Sequence, residues 1–357
     1  MSSNAARKPC IYGLLTAFAA LLCLSGSAAL AAAGEPPRPV AAAQVQARVV
    51  IVQDAGASET FTANPAVVRN LVRRGLLAVT RKADPTSAWR SLVAPQDVVG
   101  FKVYSNPGPA SGTRPAVVAA LVESLLAAGH PARQIVIWDR YESDLRAAGY
   151  FELAARHGVR VKGANEAGYD ESQFYESPFI GQLIWGDLEF RRQGGFIGRK
   201  SFVTKLLTRD ITKIINVTPL LNHNRAGVTG ALVNLALGSV DNSYRFEADA
   251  ERLATAVPEI FAMVPVADRV VLNVVDAIFC QYFGEHRSLL HYSTALNQLR
   301  FSTDPVALDI LSLEELDRQR LRAGSPVGKK RLELYFNASL LELGVSELQN
   351  IRVENAP

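Results

Sequence analysis

The feature that most restricts what this chain can fold into is an alternation of two periodicities. Short runs rich in β-branched residues lie at Ala47–Val52, Val98–Tyr104, Gln134–Trp138, Lys213–Val217 and Arg269–Val275. Between them, apolar residues take helical spacing over Pro65–Val79, Pro115–Ala128, Ser143–His157, Gly230–Leu237 and Ala248–Val264. A brief, continuous apolar run suits a strand covered on both faces, and an intervening helix supplies the crossover that parallel pairing needs. The expected class is α/β, a mostly parallel sheet flanked by helices. With 48% hydrophobic and 20% charged residues, residues 47–357 can bury a large core, as one domain or as two lobes sharing a sheet. Gly168–Arg199 is polar and aromatic without a helical period, and reads as an irregular or hairpin insertion into that frame.

Residues 1–33 read as a signal peptide. Arg7 and Lys8 precede an uncharged apolar run, Ile11–Leu24, which gives way to the small residues Ser25–Ala33 and to A-x-A cleavage after Ala31 or Ala33. The competing reading is an uncleaved anchor, since a span needs about 20 apolar residues, but Ser25, Gly26 and Ser27 interrupt the second half of this one. Residues 34–46, rich in Pro and Ala, read as a linker. Arg7-Lys8 is not a twin-arginine pair, and Ala-Leu-Leu before Cys23 is not a lipoprotein site. The expectation is a periplasmic or secreted protein on the general secretory route, with no stable membrane span after cleavage.

Removing the signal lowers the formal charge from +4 to +2, because it carries Arg7 and Lys8 and no acid. Lys and Arg are scattered among nearly equal numbers of Asp and Glu, so no nucleic-acid partner is expected. Of the chain's cysteines, Cys10 and Cys23 leave with the signal and Cys280 stays in an apolar stretch. That excludes an internal disulfide, a cysteine-ligated iron-sulfur cluster and a four-cysteine zinc site.

In open parallel sheets, ligands gather beyond the carboxyl ends of the strands, so the residues after each run carry the functional reading. After Tyr104 comes Ser105–Pro115, where Thr113 is placed to cap a helix with Pro115 in its first turn. Asp139-Arg140 follow Trp138, and Asp276 follows Val275. After Val217 the chain runs through His223, Asn224, Arg225 and Thr229 into Gly230. Imidazole, amide, guanidinium and free N–H groups there could converge on one small anion. The alternative is that His223 and Asn224 satisfy backbone groups in a tight crossover while Arg225 is solvated. A metal held by some of Asp139, His223, Asp276, Asp304 and Asp309 is a second possibility, although the spacing is no metal signature. Asp304 before Pro305 is more simply a helix cap, and Asp139 could pair with Arg140 or cap the helix beginning near Ser143. His286 and His291 are five apart rather than four, and read as loop residues or a lid. No Gly-x-Ser-x-Gly elbow, Walker loop or dinucleotide Gly-x-Gly-x-x-Gly stands at a strand-to-helix junction.

Four segments in order carry a family likeness: Asp97–Val103, Ala127–Arg140, Ile215–Val217 leading to Asn222–Asn234, and Ser302–Asp309. Over about residues 47–353 the chain resembles the domain of unknown function 362 family, in its exported bacterial branch. The resemblance adds Lys102 and Asn234 to the ligand-binding candidates. It also exposes departures, for Leu221 and Val233 stand where such proteins usually carry lysine, and Tyr104 where they carry asparagine. A fainter likeness of architecture links the histidine and Gly-rich helix start to nickel-pincer lactate racemases, whose chemistry does not transfer because those lysines are the altered positions. No cofactor is named by the sequence. Two functions stay open, an enzyme-like protein with a cleft for a small anion or metal-linked cofactor, and a non-catalytic binding or accessory protein on the same scaffold.

Overall fold

The structure is a computed structural model that describes residues 46–192, 195–328 and 330–357. The signal-peptide segment, and the linker as far as residue 45, lie outside the described residues. In chain order the strands are β1 (Ala47–Gln53), β2 (Ser58–Glu59), β3 (Thr62–Ala63), β4 (Val99–Lys102), β5 (Ile135–Asp139), β6 (Arg160–Gly163) and β7 (Tyr169–Gln182). They continue with β8 (Ile197–Thr204), β9 (Lys213–His223), β10 (Gly227–Val228), β11 (Val270–Gln281), β12 (Ser293–Ser302) and β13 (Ile351–Ala356).

The main sheet runs β13, β1, β12, β11, β9, β4, β5, β6, with β10 folded back on the end of β9. From β11 to β6 every neighbouring pair is parallel. β12 is antiparallel to both its neighbours, and β13 is parallel to β1. The class is α/β with a mostly parallel sheet, as the alternation implies. Side-chain alternation along β5 shows why the run could be continuous: Ile135 and Ile137 join one core, Val136 and Trp138 the other, and all are fully buried. Helices Pro65–Thr80 and Pro115–Ala127 cover the first face, and Ala231–Gly238, Ala250–Phe261 and Pro305–Arg322 the second.

Four expectations need correction. The strand expected to stop at Val217 continues to His223, because β10 pairs back on its end with Gly227 opposite His223. The one expected to stop at Val275 continues to Gln281 along β12, with an irregularity between Ala277 and Phe279, so Asp276 lies in a strand and not a loop. The helix expected over Ser143–His157 is two, Glu142–Ala147 and Tyr150–His157, broken where Gly149 takes φ +88°. β6, β12 and β13 of the main sheet were not foreseen. Gly168–Arg199 is largely the hairpin of β7 and β8, held by Arg245, which donates to the carbonyls of Tyr175 and Phe179 and to Ser201 Oγ. Gly181 is required there, because a Cβ would lie 2.2 Å from Arg245 Cβ.

Candidate functional site

Four adjacent strands carry polar residues in one register row across an otherwise apolar sheet: Lys102 opposite Asn216, Asn216 opposite Asn273, Asn273 opposite Ser302. Partners directly across a ladder point to the same face, which here is the face covered by the helix Ala231–Gly238. Asn234 on that helix donates to Asn216 Oδ1 at 2.9 Å, and Asn216 donates to Asn273 Oδ1 at 3.1 Å and to the Ala231 carbonyl. Helix and sheet are thus joined through side-chain amides instead of methyl groups.

Lys102 ends β4 at 1% exposure. Its Nζ donates to Asp139 Oδ1 at 2.7 Å, Asn234 Oδ1 at 2.7 Å and the Val103 carbonyl at 2.6 Å. An ammonium has three protons, and all three are engaged. Burial lowers the pKa of Lys102, and the Asp139 charge opposes that shift. Asp139 is filled too, since its Oδ2 accepts from the backbone N–H and the hydroxyl of Ser105, each at 2.7 Å. Gly238 lets the lysine pass the helix end, for a Cβ there would stand 2.2 Å from Lys102 Cε.

Above this floor opens a cleft of about 120 Å³, room for about four water molecules or a few-atom group of a ligand. Lys102, Asp139 and Asn234 form its base, Val233 and Leu237 an apolar wall, and Tyr104, Tyr141 and Tyr244 an aromatic rim. Arg140 lies between rim rings, 5.2 Å from the Tyr141 centroid and 5.0 Å from that of Tyr244. Its Nη1 bonds Ser243 Oγ and lies 4.0 Å from Glu247, while its buried Nε–H meets no acceptor among the described residues. Asp144 flanks the mouth, and burial together with the Asp139 charge raises its carboxyl pKa.

His223 reaches the cleft from the end of β9. Its Nδ1 accepts from the backbone N–H groups of Arg225 at 3.3 Å and Ala226 at 3.1 Å. The neutral ring must then carry its proton on Nε2, so it offers the cleft a donor and not a lone pair. Desolvation lowers its pKa further, against the raising effect of Glu285 and Glu247. That tautomer is wrong for a metal bound through Nε2.

Of the candidates, the cleft collects Lys102, Asp139, Arg140, His223 and Asn234. The others are elsewhere, for identifiable reasons. Thr113 is no helix cap: its Oγ1 accepts from the Tyr104 N–H and donates to the Val217 carbonyl, tying β4 to β9. Asn224 is exposed, and Glu285 Oε1 accepts from its N–H at 2.6 Å. Arg225 is exposed and lines a different hollow, with Asp249 and Lys330. Thr229 is buried, its N–H bonded to the Leu221 carbonyl. Asp276 accepts from the Arg114 N–H and faces its guanidinium at 3.0 Å, off the hydrogen-bond axis. Asp304 caps Pro305–Arg322 through the Ala307 N–H.

Asp309 overturns the most specific expectation. Its two oxygens accept from the N–H groups of Ala231 at 2.5 Å and Leu232 at 3.0 Å. The helix start proposed to hold a ligand anion is occupied by the protein's own carboxylate, and Gly230, at φ +45°, leaves the room for it. No group of three or more His, Cys, Asp or Glu suited to a metal occurs among the described residues. A lysine-held anionic cofactor does not fit either, since Leu221 is buried in β9 and Val233 is cleft wall.

Sequence reasoning missed Ser105 as an Asp139 partner, the Asn216–Asn273 pair and the rim tyrosines Tyr141 and Tyr244. The two asparagines had a signal, each being a lone amide inside a β-branched run. Tyr244 had none.

The profile of the domain of unknown function (DUF362) matches residues 101–314, a span that contains the whole cleft and the Asp309 cap. The chain belongs to the DUF362 family. No curated protein matches it. A crystal structure of a protein from Thermotoga maritima is similar at 12% identity and a TM-score of 0.39, covering 76% of this chain and 62% of that one. In this member of DUF362, the lysine of β4 and the histidine of β9 share the cleft, while Leu221 and Val233 hold the positions where the resemblance leads one to expect lysines.

Proposed function

We propose that this DUF362 protein is an exported binding protein for a small organic anion, held in the cleft between β4, β5, β9 and the helix Ala231–Gly238. The observation that carries the reading is the convergence on one cleft of the Arg140 guanidinium and the His223 ring, whose Nε2 carries the proton, above a lysine–aspartate pair that is already neutralised. A charge-assisted hydrogen bond from that guanidinium to a ligand carboxylate or phosphate contributes about 1.5–3 kcal/mol. His223 Nε2–H adds a neutral donor to the same space, and Val233 with Leu237 suits a short apolar body.

Binding is favoured over catalysis because the two groups best placed for chemistry are already committed. Lys102 would have to break three hydrogen bonds to act as a nucleophile or base, and His223 lacks a free lone pair toward the cleft. Export rests on Arg7, Lys8, the apolar run Ile11–Leu24 and the small residues up to Ala33.

The test is thermal shift with a panel of small carboxylates and inorganic phosphate, beside native mass spectrometry of protein purified from its own compartment. A binder from that panel should lose about tenfold or more in affinity in Arg140→Ala, the equivalent of one charge-assisted bond. If no member of the panel stabilises the protein and no retained mass is seen, the reading fails.

A further inference from the structure

The loop that closes the β7–β8 hairpin carries a group of exposed apolar side chains. Trp185 is 76% exposed, Ile197 67% and Phe196 52%. These are not scattered apolar residues. The rings of Trp185 and Phe190 are 6.0 Å apart, and those of Phe190 and Phe196 5.8 Å, so the aromatics form one continuous group. A solvent-facing aromatic group of this kind marks an interaction surface.

Its charge indicates the partner. The charged residues of 183–199 are Asp187, Glu189, Arg191, Arg192 and Arg199. Asp187 is withdrawn from the surface, buried and accepting from the N–H groups of Ile184 and Asn242. Arg192 pairs with Glu171 at 2.8 Å. Arg191 stands over both Trp185 and Phe190, at 5.9 Å and 5.4 Å from the ring centroids, and Arg199 is exposed beside Ile197. Tryptophan and phenylalanine set among arginines are what a bilayer interface with anionic headgroups accepts: rings enter the headgroup and acyl boundary while guanidinium groups bind phosphate. The strands are held by Arg245, which binds Tyr175 and Phe179 of β7 and Ser201 of β8, and the loop itself is pinned where Asp241 accepts from the N–H groups of Leu188 and Phe202. Trp185, Phe196 and Ile197 are therefore displayed from a loop fixed at Asp187 and Leu188.

We propose that the hairpin tip docks on an anionic phospholipid surface through Trp185, Phe196 and Ile197, with Arg191 and Arg199 as phosphate contacts. The contact is peripheral; no helix among the described residues is long and apolar enough to cross a membrane.

The chain carries its own probe. Of its three tryptophans, Trp89 and Trp138 are buried at 1% and 0% exposure, and only Trp185 faces solvent. Adding vesicles of phosphatidylcholine with phosphatidylglycerol should shift the emission to the blue, phosphatidylcholine alone should do so far less, and salt should reverse the effect. Unprocessed chain could also tether to vesicles by Ile11–Leu24, but that segment has no tryptophan, so the shift reports the tip. Reversing both charges, in Arg191→Glu with Arg199→Glu, should lower partitioning by about tenfold or more. Trp185→Ala and Phe196→Ser should weaken co-sedimentation of processed protein without lowering its melting temperature, since both side chains are exposed. An unchanged emission on adding anionic vesicles overturns the proposal. So does an equal shift with neutral vesicles, or a shift that follows protein concentration without lipid, which would make the tip a contact between copies.

Discussion

Lys102 keeps a charge in a buried place because three acceptors share its three protons, and Asp139 in turn is held by Ser105. Removing one partner of such a pair leaves the other uncompensated, so Lys102→Met should cost about 3–5 kcal/mol. Denaturant midpoints would show it. Lys102→Met combined with Asp139→Leu should recover a large part of the loss, because the buried charge goes with its partner. A double variant as unstable as the sum of the singles would mean that the amides Asn216 and Asn234, and not the ion pair, set the cost. At His223 the same attention to individual protons changes the chemistry: two backbone N–H groups at Nδ1 turn a residue suited to metal or base chemistry into a donor.

The helix Ala231–Gly238 is held at both ends by groups distant in sequence. Asp309 caps its start, Lys102 runs past its end, and Asn234 ties its middle to β9. Burial pushes the Asp309 carboxyl from its ordinary 3.8 up to about 7, even though the Leu232 and Ala231 N–H groups pull the other way. A folded-state pKa above the unfolded one means that the folded protein binds this proton more tightly. Ionising the group therefore costs stability as pH rises from about 4 to about 7. Asp309→Asn removes that dependence, so its melting temperature should improve relative to the unaltered protein across this window. Asp241, also pushed up to about 7 by burial, is present in both proteins and cancels from the comparison. A difference that stays constant with pH would show that Asp309 keeps an ordinary carboxylate pKa.

At the scale of the whole molecule, the proposed export has a direct check: intact mass of the protein purified from its own cells should show loss of residues 1–31 or 1–33. A mature chain that still begins near Met1 would defeat it. The parallel strands β11, β9, β4 and β5 were legible because strands covered on both faces need unbroken apolar runs, which local sequence displays; β6, Arg160-Val-Lys-Gly163, is an edge strand with no such run. β12 was not legible either, since Ser293-Thr-Ala-Leu-Asn-Gln-Leu-Arg-Phe-Ser302 mixes polar and apolar residues and becomes a strand by pairing with β1 and β11 on either side. β9 and β11 likewise run on past Thr218-Pro219 and Asp276, residues that read as strand stops, because β10 and β12 pair with their extensions. The sequence by itself determined the α/β class and the alternation of strands with crossover helices, and it offered Asp139, Arg140 and His223 among its candidates because the residues after strand runs are a local property; Lys102 and Asn234 came from the family resemblance. Only the tertiary structure decided which polar groups had charge or protons to spare. Asp276 and Asp309 were consumed by Arg114 and by a helix start, and Lys102 by three acceptors, while Arg140 kept one donor unpaired. Apart from the Val103 carbonyl beside Lys102, those partners lie tens of residues or more away along the chain, and a buried polar group's role depends on who meets it.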